Sequence, residues 1–224
     1  MLTDTQIHFA WKVLEKLYPD AECSLDTDGD PFHLFVRAIL SAQCTDKRVN
    51  EVTATLLTEY PDPSAFAKES EERLGEKIRT CGLYRAKAHA IIASSQMLIT
   101  SFGGQIPSDR RTLETFPGVG RKIANLILGE VFHEPAVVVD THCGRVANRI
   151  GFSDSTVPQV IEKDLMTCFP REDWITLGHR LVAHGRTLCM ARNPNCPGCP
   201  VREVCIYACS KFSDAEGTSH AGHS

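Results

Sequence analysis

An all-α protein is the fold class this sequence predicts, and three observations predict it. Apolar residues recur at spacings of three and four along most of the chain. Asp-Pro pairs open two of those runs, supplying an N-cap and a first-turn proline. Only "PAVVVD" at 135–140 has the unbroken branched run of a strand, and one short strand cannot make a sheet.

Taken in order, "IHFAWKVLEKLY" sets Ile7, Ala10, Trp11, Leu14 and Leu17 on one helical face. "DPFHLFVRAILSAQC" starts with Asp30 as N-cap and Pro31 at the first helical position. "DPSAFAKES" repeats that opening with Asp62 and Pro63. Gly82 reads as the glycine that stops one helix before "YRAKAHAIIASSQMLITSF" begins the next. Further helical patterns cover 109–116, 121–132, 142–150, 157–168 and 172–187. The end of the chain, 212–224, is polar and rich in small residues, and reads as disordered. No repeat of fixed period stands out.

At 224 residues the chain has room for one large domain or two small ones, and 42% apolar with 23% charged residues is a globular composition. The start, "MLTDTQIHFAWKVLEK", lacks the basic and apolar regions of a secretory signal. No apolar run reaches the length of a membrane span. A cytoplasmic protein is expected, in which the ten cysteines serve as ligands or buried thiols rather than disulfides. The net charge of −4 does not by itself suggest a polyanion partner. Yet residues 176–211 carry Arg180, Arg186, Arg192, Arg202 and Lys211 against Glu203 alone, and local basic surface is what meets phosphate.

Within that basic region Cys189, Cys196, Cys199 and Cys205 follow the spacing C-x6-C-x2-C-x5-C, in a loop with Pro194, Pro197, Gly198 and Pro200. Zinc sites usually pair their ligands in two short-spaced knuckles, and here only Cys196 and Cys199 make such a pair. Four thiolates in one wrap suit a 4Fe–4S cluster, each iron taking one ligand. Zinc, and four buried thiols without metal, are the alternatives; Cys209 is not expected to be a ligand. The loop has few apolar residues with which to fold itself, so ligation would supply that folding energy. The metal would then be structural.

A second constellation lies in "RRTLETFPGVGRKIANLILGEVF". Pro117 breaks one helical pattern, Gly118-Val119-Gly120 turns the chain, and a new helix starts at Arg121. Two glycines beside a helix N-terminus make an anion site able to grip a nucleic-acid backbone. An ordinary tight turn between packed helices is the plainer reading of the glycines alone. Lys122 shifts that balance, because the positive end of the helix dipole disfavours an ammonium there and favours a neutral, nucleophilic amine. Asp140 ends "AVVVD" and is expected to cap the helix that follows, a role compatible with facing a cleft.

Three motifs in this order, "FPGVGRKIANLIL", "VVVDTHCGRVANR" and the cysteine spacing, resemble endonuclease III of the helix-hairpin-helix DNA glycosylase superfamily. "LSAQCTDKRVN" and "IRTCGLYRAKA" are similar to other signature segments of that family, so the resemblance covers about residues 5–208. It implies two helical lobes with a DNA-binding cleft between them. One is a six-helix barrel over 22–134 with the hairpin; the other joins 1–21 to 135–211 and holds the cluster. It implies a monomer, working with the nucleoid, that removes oxidised or saturated pyrimidines from duplex DNA and cleaves the strand at the abasic site. Carried over by residue, Lys122 matches the Schiff-base nucleophile and Asp140 the catalytic carboxylate. Gln43 matches the residue that fills the gap left by the everted nucleotide, and Leu83 the opposite wedge. Gly118, Val119, Gly120 and Arg121 match the phosphate-binding hairpin, with His142 and Arg192 as further DNA contacts. The four cysteines match the ligands of a 4Fe–4S cluster.

Without the resemblance, Gln43 reads as a helix residue that caps or hydrogen-bonds locally, Leu83 as core, and His142 as a cap. Departures from the family pattern are Cys143-Gly144, expected to leave room near Asp140, and Cys44 directly after Gln43. The competing readings are a monofunctional mismatch or adenine glycosylase and a DNA-binding relative without catalysis. The adenine type carries a glutamate in the segment matching "LSAQCTD", which this chain lacks, and both monofunctional types lack the lysine.

Overall fold

The computed structural model describes residues 2–216, with side chains through residue 211. Every regular element among them is helical, so the all-α class holds. Residues 133–140, with the strand-like run, form no regular element. The chain divides into two compact units: residues 1–22 together with 137 onward, and Cys23–Ala136.

In the first unit α1 (Asp4–Leu17) is opened by a capping box in which the Thr3 and Gln6 side chains each accept from the other's backbone. It packs with α9 (Thr141–Ile150), α10 (Pro158–Cys168) and α11 (Trp174–Thr187). Ala10 and Leu14 have no exposed surface and meet Val146, Ala147, Leu177 and Leu181. Trp11 lies edge-on to Phe169 at 5.5 Å, and the Arg180 guanidinium covers its other side at 4.5 Å. α12 (Ile206–Glu216) follows the cysteine loop, so the helix reaches into a tail expected to be disordered. Residues 217–224 lie outside the described part.

The second unit holds α2 (Pro31–Leu40), α3 (Asp46–Glu59), α4 (Pro63–Ala67), α5 (Glu71–Lys77), α6 (Tyr84–Phe102), α7 (Arg110–Leu113) and α8 (Arg121–Phe132). Asp30 and Asp62 cap α2 and α4 as their Asp-Pro openings predict. Phe32, Phe35, Phe66 and Phe116 join these helices through edge contacts at 5.6 Å. The sequence pattern runs α2 on through Cys44, whereas the helix stops at Leu40 and a turn occupies 41–44. Likewise α7 is four residues long rather than spanning 109–116. In α3 the buried set is Val49, Thr53, Leu56 and Leu57. Thr53 is admitted because its hydroxyl donates to the Val49 carbonyl at 2.9 Å.

One buried polar contact fixes two turns of this unit. Lys87, 4% exposed, donates from Nζ to the carbonyls of Leu40 at 2.8 Å and Cys81 at 2.7 Å. Burial pulls its ammonium below the ordinary value, an effect partly offset by the Cys44 and Cys81 thiols nearby. Leu40 ends α2, and Cys81 closes the tight turn 79–81 before Gly82. Lys87→Met keeps the volume but leaves two buried carbonyls without a donor, at about 1–3 kcal/mol each. Urea unfolding should therefore show a loss of about 2–4 kcal/mol. A loss under about 0.5 kcal/mol, the scale of an ordinary surface change, would mean that the bridge is not what holds these turns.

Candidate active site and cysteine loop

The hairpin is a tight turn with one strained requirement. Val119 N–H donates to the Phe116 carbonyl at 3.0 Å, and Gly118 sits at φ +77°, where a side chain is disfavoured. A Cβ on Gly118 would also lie 3.0 Å from the Ala90 methyl. Val119 is buried and so anchors the turn, while Gly118 and Gly120 stay exposed. Gly120 is the N-cap of α8 and offers no side chain to its first turn. Arg121 and Lys122 occupy that turn, Arg121 half-buried and Lys122 exposed. A first-turn amine open to a large ligand, beside backbone N–H groups at a helix start, is suited to meet an anionic chain.

Gln43 and Leu83 sit in the two turns that Lys87 ties. Neither is where sequence pattern alone puts it. Gln43 is not helical: it is exposed at φ 51°, in the left-handed region. Leu83 has φ 46° and is 54% exposed, so it is not core. A Cβ added to Gly82 would lie 4.0 Å from the Gln43 carbonyl, so the two turns are neighbours within this unit. Holding two non-glycine residues left-handed costs about 1–2 kcal/mol each, which their surroundings must supply.

In the other unit Asp140 is the N-cap of α9. Its Oδ1 accepts from the His142 and Cys143 N–H groups at 2.8 and 2.7 Å. Both bonds fall on one oxygen, so Oδ2 plays no part in the cap. Asp140 is half-buried. His142 Nδ1 lies 3.3 Å from the Arg145 guanidinium, which itself donates to the Gly185 carbonyl at 2.8 Å. Cys143 is fully buried, and burial together with the Asp140 carboxylate pushes its thiol well up, keeping it neutral. A Cβ on Gly144 would make ordinary van der Waals contact with Ile161 at 3.4 Å and Val139 at 3.7 Å.

The cysteine loop is held from α9 and α11. Cys189, Cys196, Cys199 and Cys205 line one cavity with His184, Pro194 and Arg202. Arg149 donates to the carbonyls of Met190 at 2.7 Å and Ala191 at 3.0 Å, and Arg145 to that of Cys189 at 3.2 Å. Buried His184 stands between the Tyr18 hydroxyl at 3.0 Å and Cys199 Sγ at 3.6 Å. Burial lowers its imidazole to about 4, so it is neutral at pH 7. Burial, with the neighbouring sulfurs adding, raises the Cys199 thiol and pushes that of Cys205 up to about 11. A bound cationic group would relieve that crowding, so the donor set fits a metal. Among the described residues no three His, Cys, Asp or Glu are arranged to hold a single ion. Arg192 is exposed on the same loop. The arginines at 145 and 149 and His184 are not apparent from the cysteine spacing. Their one trace in sequence is the four-residue step that puts both arginines on one face of α9.

Residues 36–171 match the model of the HhH-GPD superfamily base excision DNA repair proteins. Endonuclease III of Bacillus subtilis (strain 168) is 43% identical over 208 residues, covering 92% of this chain and 94% of its own. A trapped covalent intermediate of endonuclease III with DNA superposes with a TM-score of 0.91 at 40% identity, covering 95% of this chain and 100% of that one. A thermostable thymine-DNA glycosylase shares the fold, with a TM-score of 0.79 at 19% identity over 92% of this chain and 98% of that one. By its motifs, its helices and its likeness over nearly the whole chain, the protein belongs to the endonuclease III family of the HhH-GPD superfamily.

Proposed function

We propose that Lys122 is the nucleophile and Asp140 the assisting carboxylate with which this chain excises oxidised or saturated pyrimidines from duplex DNA. The chain is a bifunctional base-excision repair enzyme, a DNA glycosylase and abasic-site lyase. The observation that carries the residue assignment is the exposed first-turn Lys122 after Gly118-Val119-Gly120. It stands in a chain similar throughout to an endonuclease III trapped covalently on DNA, and a covalent bond to DNA needs such a nucleophile.

A base within a duplex shields its sugar carbon, so the nucleotide must leave the stack before attack. Saturated rings stack poorly, which lowers that cost and favours damaged pyrimidines. Gln43 and Leu83, exposed on neighbouring turns, are suited to fill the gap and hold the opposite strand apart. Gly118, Val119, Gly120 and Arg121 would receive the backbone at the start of α8, with His142 and Arg192 as further contacts. As the glycosidic bond breaks, positive charge grows on the sugar and the Asp140 carboxylate stabilises it. The Lys122 amine bonds to C1′ and the base departs with a proton. The sugar ring then opens as the C1′–O4′ bond breaks and O4′ takes a proton; the resulting protonated imine acidifies C2′, whose proton is lost as the C3′–O bond breaks, and water then frees the lysine. Cys189, Cys196, Cys199 and Cys205 would hold a 4Fe–4S cluster, which when bound supplies four iron–thiolate bonds that fix the loop. Four sulfurs around a cavity, rather than converged on one ion, support that cluster over zinc. The reading puts a monomer on chromosomal DNA in the cytoplasm. No helix among the described residues is long and apolar enough to cross a membrane.

Borohydride should trap the wild-type chain on duplexes carrying thymine glycol or an abasic site. Lys122→Ala should give no adduct on either while binding within roughly threefold of wild type, the scale of one lost surface contact. Full trapping by that variant would remove the nucleophile assignment, and binding without trapping by the wild type would point to a non-catalytic relative. Asp140→Asn separates the two roles of that residue, because asparagine caps a helix about as well as aspartate. Single-turnover base removal should fall by roughly 10²-fold or more with little loss of stability; an unchanged rate would leave Asp140 a cap only. Cys199→Ala should lose the brown iron–sulfur absorption and unfold at lower urea, whereas a stable, colourless and active variant would count against a structural cluster.

A further inference from the structure

Outside the cysteine loop the chain carries a second thiol cluster, and it lies between the Gln43 and Leu83 turns. Cys44 follows Gln43 and is half-buried; Cys81 precedes Gly82-Leu83 and is 1% exposed. The two residues are far apart in sequence, yet they flank Gln43 and Gly82, whose turns adjoin, and the Cys44 thiol is near enough to help raise that of Cys81. Lys87 Nζ reaches the Cys81 carbonyl at 2.7 Å and is close enough to both thiols to feel their charge. The two turns also meet where Gly82 faces the Gln43 carbonyl. Both cysteines are free thiols, and neither takes part in the chemistry assigned above.

We propose that Cys44 and Cys81 form a thiol–disulfide exchange site, closed by low-molecular-weight disulfides such as glutathione disulfide, that restrains the DNA-inserting turns. The restraint rests on the reading of Gln43 and Leu83 given above. The half-buried Cys44 sulfur attacks the small disulfide, forming a mixed disulfide and releasing one small thiol. The Cys81 sulfur then attacks the Cys44 sulfur, forming the internal bond and releasing the second. Two protein thiols are oxidised, one external disulfide is reduced, and the two thiol protons leave with the released thiols. A disulfide holds its Cα atoms about 4.4–6.8 Å apart, so closure pins two turns whose exposed tips must enter a duplex. Burial pushes the Cys81 thiol up to about 11, so closure is expected to quicken as pH rises.

The test treats the full-length protein, with its iron–sulfur absorption followed throughout, with glutathione disulfide. Free thiols are then blocked and peptides mapped without reduction. The expected result is a Cys44–Cys81 peptide pair in protein of unchanged absorption, with base removal from a thymine glycol duplex reduced roughly tenfold, as misplacement of inserting groups would produce. Dithiothreitol should restore the rate. Cys44→Ala and Cys81→Ser should each be insensitive to the oxidant while matching the reduced wild type in activity. Absence of that peptide pair, or glutathione retained on Cys44 alone, overturns the exchange site and leaves the reading of the turns intact. A pair that forms without slowing base removal overturns the restraint. Gln43→Ala and Leu83→Ala in reduced protein then locate the error, since full activity in both means that the reading of the turns failed.

Discussion

A buried ammonium with two carbonyl partners is the constraint on which the second unit's exposed turns depend. Lys87 cannot be 4% exposed and charged unless its donors are used, and the two acceptors it finds are Leu40 and Cys81. Those are the last residue of α2 and the last of the tight turn before α6. The contact thus lies where both segments stop being helical. Three and two residues further on, Gln43 and Leu83 are held in left-handed conformations that neither would adopt alone. A rigid interior contact supports strain at an exposed tip, as the proposed insertion of that tip into a DNA stack would require.

Helix starts do the corresponding work elsewhere, in two different ways. Asp140 satisfies the first turn of α9 with its own carboxylate, using one oxygen for two N–H groups. Capping fixes the side chain's orientation and leaves the second oxygen for other chemistry. Gly120 opens α8 with no side chain, so the positive end of that helix is not neutralised from within by its cap. The first start holds a carboxylate in place, whereas the second leaves the Lys122 amine exposed beside N–H groups that no cap side chain takes. Both follow from which residue stands at the N-cap.

Much of this was legible in sequence, because caps and helical spacing are local. Asp30 and Asp62 act as their Asp-Pro openings require, α8 occupies 121–132, and Asp140 caps as expected. The misses have tertiary causes. Apolar pattern runs α2 through Cys44, whereas the helix ends at Leu40, whose carbonyl is taken by a lysine far along the chain. Leu83 looks like core because leucine usually is, and only its φ and 54% exposure reveal an apolar tip facing outward. Helix α3 is masked by Thr53, which enters the interior by bonding backward to Val49.

The cysteine loop shows how far protein contacts alone carry a segment poor in apolar residues. Arg145 and Arg149 reach backbone carbonyls at 189–191, Asn195 accepts the Gly198 N–H at 3.2 Å, and Tyr207 stacks under Arg149 at 4.6 Å. These contacts set where the chain goes, yet they leave Cys196 and Cys205 buried, with the Cys205 thiol near those of Cys189 and Cys199. Four polarisable sulfurs around one cavity gain little from packing and lose hydration. Metal ligation would convert that liability into folding energy. The two arginines are then a frame for the loop rather than ligands, and the exposed cations left over, Arg192 among them, are positioned by a rigid backbone instead of a flexible one. On that account a metal held in the loop and the loop's basic surface would belong to one device: ligation would fix the backbone, and the fixed backbone would aim the charge.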